Sequence, residues 1–129
     1  MKRYLPCLVL LASATLVHDV FAYGSSGGGG SSCSEPQFSD ESPKNESSVK
    51  QLDRFSVEAS KNTDLKTLEI EVDGIRQDAT ETPLRTGSSL LNVTLKEART
   101  QASKVRITIR AKSDDGCEAF QPYYIHVKP

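Results

Sequence analysis

Tryptophan is absent from this 129-residue chain, methionine occurs only at position 1, and histidine occurs only at positions 18 and 126. Each scarcity removes a chemistry. Without tryptophan, and with few other aromatics, there is little for a sugar ring to stack on. A covalent hydrolase needs a nucleophile, an imidazole or similar base, and a group that orients it. The chain reads as a non-enzyme with no cofactor implied. Calcium needs six to eight oxygen ligands, usually on a D-x-D-x-D-G loop. Here Asp114 and Asp115 share one turn, and Asp73 and Asp78 flank another, which turn chemistry accounts for. The net charge is −1, so no global signal points to nucleic acid or an anionic membrane.

What is there begins with an address. Lys2 and Arg3 precede an apolar run from Leu5 to Val17, too short to cross a bilayer core of ~30 Å as a helix. Val20 and Ala22 occupy the −3 and −1 positions of a cleavage site. Residues 1–22 therefore read as a secretory signal peptide; cleavage after Gly24 and an uncleaved anchor are the competing readings. Once the signal is cut, no stable membrane span is expected. Cys7 lacks the small-residue approach of a lipoprotein box. Cleavage after Ala22 leaves 107 residues (129 − 22) and two cysteines, Cys33 and Cys117. In an oxidising compartment an even pair reads as a disulfide, with two separate thiols or a metal pair as the alternatives. It would close 84 residues (117 − 33), a loop whose closure stabilises by roughly 4 kcal/mol in the chain-entropy model.

Residues 23–34 are almost all glycine and serine and read as a flexible linker. From residue 35 to 129 the periodicity is two. Phe55, Val57 and Ala59 alternate with Ser56 and Glu58; Leu68, Ile70 and Val72 with Glu69, Glu71 and Asp73; Leu91, Val93 and Leu95 with Asn92, Thr94 and Lys96. Val105, Ile107, Ile109 and Ala111 alternate with Arg106, Thr108, Arg110 and Lys112; Tyr123, Ile125 and Val127 with Tyr124, His126 and Lys128. Each segment reads as a half-buried strand. Asp73-Gly74 ends one strand, Asp115-Gly116 signals a hairpin between the last two, and Pro43, Pro83 and Pro122 are expected outside strand centres. Leu95 to Ser103 reads as a connection, with a helical turn as the other option. The whole predicts an immunoglobulin-like antiparallel β-sandwich of about seven strands.

In order, Ser42-Pro43, Phe55-Ser56-Val57, Asn62-Thr63-Asp64-Leu65-Lys66-Thr67, Val72-Asp73-Gly74, Asp114-Asp115-Gly116 and the aromatic last strand Tyr123 to Val127 resemble the bacterial immunoglobulin-like domains. That resemblance implies a sandwich used for adhesion, spacing or partner binding. The cysteine positions depart from the inter-sheet disulfide and buried Trp of antibody domains. They would instead staple the start of the domain to its last hairpin. Two sequons, Asn45-Glu46-Ser47 and Asn92-Val93-Thr94, are inert in a bacterium.

Two functions remain. The first is a non-catalytic exported module, periplasmic or extracellular, that binds another exported protein or a cell-envelope component. Its surface would be the outer stripe of Lys104, Arg106, Arg110 and Lys112, with His126 and Lys128 beside it. Residues 35–81 carry a net charge of −6 (12 acids, 6 bases), and residues 96–129 a net +3 (7 bases, 4 acids). The competing account of the stripe is a solvated face whose cations pair with Glu69 or Glu71. The second function is copper handling. Small periplasmic copper-resistance proteins share the sandwich and the Ser-Pro opening, with sites that depend on histidine, often at the mature N-terminus. Here Tyr23 or Ser25 would lead, so the donors left are Cys33, Cys117 and His126, which in reduced form suit Cu(I). A disulfide would remove that site.

Overall fold

In the computed structural model, which describes residues 32–129, the period-two alternation becomes burial. The signal segment 1–22, and the linker as far as residue 31, lie outside the described residues. Nine strands run through the described part: β1 (Phe38–Ser42), β2 (Ser48–Val49), β3 (Leu52–Ala59), β4 (Thr63–Val72), β5 (Ile75–Gln77), β6 (Ala79–Pro83), β7 (Ser89–Arg99), β8 (Ser103–Ser113) and β9 (Glu118–Val127). They form a four-stranded sheet ordered β1-β3-β7-β6 and a five-stranded sheet ordered β2-β9-β8-β4-β5. All pairings are antiparallel except that of β2 with β9, which is parallel. The count exceeds the expected seven because β2 and β5 are two and three residues long, too short for an alternation to register.

The inward residues fill the space between the sheets. Phe55, Val57 and Ala59, with Leu91 and Val93 beside them in the same sheet, face Ile70 and Val72, Val105 to Ala111 in steps of two, and Tyr123, Ile125 and Val127 of the other sheet. Burial of each large aliphatic contributes about 1.5–3 kcal/mol relative to exposure. Phe55 meets Tyr123 edge-on across the core, with ring centroids 6.1 Å apart and planes at 80°. Leu68 is only half-buried because β4 slips register between Asp64 and Glu69. There the Thr67 hydroxyl donates to the Asp64 carbonyl at 2.7 Å and accepts the Lys112 N–H at 2.8 Å, taking over a bond the bulged ladder loses.

Two local expectations change. Leu95 to Arg99 is neither helix nor connection but the continuation of β7. Leu52 pairs with Arg99 beyond a register shift, and the Gln77 side chain accepts the Lys96 N–H at 3.0 Å where β6 no longer reaches. Pro122 lies inside β9, opposite Thr108, rather than outside a strand. The reason is direction. The N–H groups of Tyr124, His126 and Lys128 point away from β8, to Asn45 Oδ1, the Ser47 carbonyl and the Val49 carbonyl. By the same parity the nitrogen of Pro122 faces that outer side, where β2 pairs only with His126 and Val127 and no ladder bond is forfeited. Asp73-Gly74 forms the two-residue turn of the β4–β5 hairpin, with φ of 50° and 82° at the two positions.

Candidate functional site

One end of the sandwich is built around Cys33 and Cys117, which are joined in a disulfide with their Cα atoms 5.6 Å apart. Both residues are half-buried. Cys117 ends the β8–β9 turn, and the turn holds its own shape. The Ser113 N–H donates to the Cys117 carbonyl at 2.7 Å, the Cys117 N–H to Ser113 Oγ at 3.0 Å, and the Gly116 N–H to the Ser113 carbonyl at 2.8 Å. Gly116 has φ of 88°, a conformation that costs an L side chain roughly 1–2 kcal/mol. Cys33 lies on the segment leading into β1, which crosses the β3–β4 turn. The Ser60 N–H donates to the Gln37 carbonyl and the Gln37 N–H to Ser60 Oγ, both at 2.8 Å.

Asn62 links the two cysteine-bearing segments. Its Nδ2 donates to the carbonyls of Ser34 at 3.0 Å and Glu35 at 3.3 Å, and its own carbonyl accepts the Asp114 N–H at 2.8 Å. The Ser60 hydroxyl donates to Asn62 Oδ1 at 2.6 Å, fixing the amide. The sequence offered a faint signal for this residue, an asparagine in a short turn.

The expected trio of Cys33, Cys117 and His126 is not assembled. Cys117 precedes β9 and His126 is its penultimate residue. At 3.4 Å per residue those nine steps span about 30 Å, so the imidazole stands at the opposite end of the sandwich. The disulfide also removes both thiolates. His126 is not simply solvated on the polar face either. Its Nε2 lies 2.7 Å from Glu46 Oε2, and Lys104, its cross-strand partner, has Nζ 4.0 Å from Glu46 Oε1. The hydrogen bond from His126 holds the Glu46 carboxyl below the usual carboxylate range, against slight desolvation and with help from the charge of Lys104. Glu46 sits at φ of 63°, and its N–H donates to the Tyr124 carbonyl. Nothing in the sequence marked it.

Lys104, Arg106, Arg110 and Lys112 are all exposed on β8. Register aligns Lys104 with His126, Arg106 with Tyr124, Arg110 with Phe120 and Lys112 with Glu118. Arg110 stands opposite Glu69 on β4 but forms its ion pair with Glu118, at 3.4 Å, while Glu69 pairs with Arg76 at 3.8 Å. Arg110 also lies over the Phe120 ring, 5.2 Å from its centroid, and Phe120 is 48% exposed. Arg106 and Lys112 are exposed, and neither joins an ion pair with another described residue. Among the described residues no group of three or more His, Cys, Asp or Glu side chains is placed to hold a metal ion.

No family model matches the chain, and no curated protein matches it. Solved structures do. The chain is similar to CopC from Methylosinus trichosporium OB3b, with 14% identity and a TM-score of 0.56, over 73% of this chain and 94% of that one. It is also similar to PcoC from Escherichia coli, described as a methionine-rich copper resistance protein, with 20% identity and a TM-score of 0.53, over 74% and 100% of the two chains. At such identities the likeness establishes the fold: an all-β sandwich with the architecture of CopC and PcoC.

Proposed function

We propose that the chain is a small exported, periplasmic protein that handles copper without catalysing a reaction, holding Cu(I) as cargo on the thiolates of Cys33 and Cys117 once their disulfide is reduced. One observation carries the reading: nearly the whole of CopC, and the whole of the copper resistance protein PcoC, aligns with this sandwich. Donor chemistry supports the choice of ligands. PcoC is methionine-rich, whereas the only methionine here is Met1, so the soft donors among the described residues are the two cysteine sulfurs. Soft thiolates select Cu(I) over harder ions. The absence of catalysis is part of the proposal, supported by an imidazole committed to Glu46 on the sandwich rim.

The test is a Cu(I) titration against a chromogenic chelator, on oxidised protein and on protein reduced by a phosphine. The reduced chain is expected to take one equivalent and the oxidised chain none. Cys117→Ser should abolish uptake and His126→Ala should leave it unchanged. Uptake that survives Cys117→Ser would overturn the assignment.

A second reading is favoured by the exposed cations Arg106 and Lys112 on the sheet face that also carries the exposed Phe120. In it the outer face of the five-stranded sheet captures an acidic partner in the cell envelope. Capture of envelope proteins that is unchanged by Arg106→Glu with Lys112→Glu would remove it.

A further inference from the structure

None of the hydrogen bonds around the disulfide involves a cysteine sulfur. From them we infer that Asn62 is a positioning residue that keeps Cys33 and Cys117 opposed after reduction, so that the dithiol is preorganised for a two-coordinate soft cation. The metal half of this inference rests on the copper reading above; the positioning half does not.

Three segments meet at this end of the sandwich: the lead into β1, the β3–β4 turn and the β8–β9 turn. Asn62 belongs to the middle one and grips both others. Its amide holds the Ser34 carbonyl, one residue from Cys33, and its carbonyl holds the Asp114 N–H, three residues from Cys117. The remaining residues to Cys117 are locked by the bonds from Ser113. Without the amide the next hold on the leading segment is the buried Pro36, three residues beyond Cys33, followed by the bonds between Gln37 and Ser60. The brace therefore cuts the free chain next to the Cys33 sulfur from three residues to one. A shorter free segment raises the effective concentration of one thiol at the other. The same gain favours ring closure by either bridge, a disulfide or an S–Cu–S linkage.

The redox step is an exchange with a monothiol. Two glutathione molecules deliver two electrons and two protons; the protein S–S bond breaks, two protein S–H groups form, and one glutathione disulfide leaves. Raising the effective concentration pulls this equilibrium towards the protein disulfide. The brace therefore makes the pair hard to reduce and, once reduced, quick to close on a cation.

The experiment uses the full mature chain, wild type, Asn62→Asp and Asn62→Ala. Asn62→Asp keeps the acceptor for Ser60 and the backbone carbonyl for Asp114 but loses the donors to Ser34 and Glu35. Asn62→Ala loses them without adding a charge. Each protein is equilibrated in glutathione buffers, trapped with an alkylating reagent and weighed intact. Melting with the disulfide closed verifies that the variants fold, and Cu(I) competition is read on the reduced forms. The expected result is a tenfold fall in effective concentration in both variants, a rise in reduction potential of about 30 mV, with Cu(I) affinity falling by a similar factor. Equal potentials in all three proteins would overturn the brace. A shifted potential with no copper bound by any of them would leave the brace standing and remove the copper reading.

Discussion

The hydroxyl of Tyr123 is buried in the core beside Phe55 and has no hydrogen-bond partner among the described residues. Burial pushes the phenol's proton affinity up, and the charge of Glu41 adds to it, so the ring stays neutral across the accessible pH range. A buried hydroxyl without a partner costs about 1–3 kcal/mol. Tyr123→Phe removes the oxygen and leaves the ring contacts. We expect it to be neutral or to stabilise the domain by up to about 1 kcal/mol, measured as a rise in urea midpoint at constant slope. A loss of more than that would reveal a partner for the oxygen. Gly74 makes the opposite case. Its φ of 82° lies in the left-handed region, and a Cβ there would meet nothing within 4 Å. The penalty of Gly74→Ala is therefore conformational alone, about 1 kcal/mol of unfolding free energy, read as a lower melting temperature.

At the scale of elements, the rim of β9 shows how a strand end is closed with few residues. β2 contributes two residues, and Asn45, Glu46 and Ser47 supply the remaining bonds to β9. The Glu46 carboxyl is held below its ordinary range by His126. A depressed acid stabilises the fold above its unfolded pKa, and that contribution is lost as pH falls through the folded value. Glu46→Gln should therefore lower stability slightly at neutral pH, the carboxylate being exposed and screened. The gap to wild type should close below the usual carboxylate range, in thermal melts recorded from pH 7 to pH 2. A gap that persists at pH 2 would mean that the side chain acts through something other than its charge.

Elements also separate what could be read from the chain and what could not. β3, β7, β8 and β9 announce themselves, because each has one face in the core and one in water for long enough to repeat. β1, β2, β5 and β6 are short or polar strands towards the margins of the sheets, with at most one buried residue each, so hydrophobicity says nothing about them. Pro122 misled in the other direction. A missing N–H counts against a strand only if it faces a neighbour, and that depends on which sheet edge is covered. The site divides in the same way. The cysteine pairing follows from compartment and parity of number, both visible in the chain. The role of Asn62 depends on carbonyls 27 and 28 residues away and is set by how three loops converge. Placing His126 with the cysteines failed for a geometric reason: nine residues are few in a sequence but span the whole sandwich when they are extended.

For the whole molecule, the disulfide closes an 84-residue loop and is worth roughly 4 kcal/mol of unfolded-state entropy. Reduction should lower the melting temperature markedly while the native state persists near 25 °C, because the core between the sheets and the bonds of Asn62 are untouched. Near-ultraviolet circular dichroism of the reduced protein checks this, and a collapsed spectrum would show that the staple is needed for folding. The same bond also sets how the domain responds to a pull. Force applied between residue 32 and Pro129 enters at Cys33, crosses to Cys117 and runs along β9 to the C-terminal end. Residues 34–116 hang from that line as an unloaded loop. Under tension the oxidised protein could lengthen only by peeling β9 away, a gain of a few nanometres at most, while the reduced protein could pay out its whole length. A single-molecule stretching trace would report the oxidation state of the cysteines as a change in contour length.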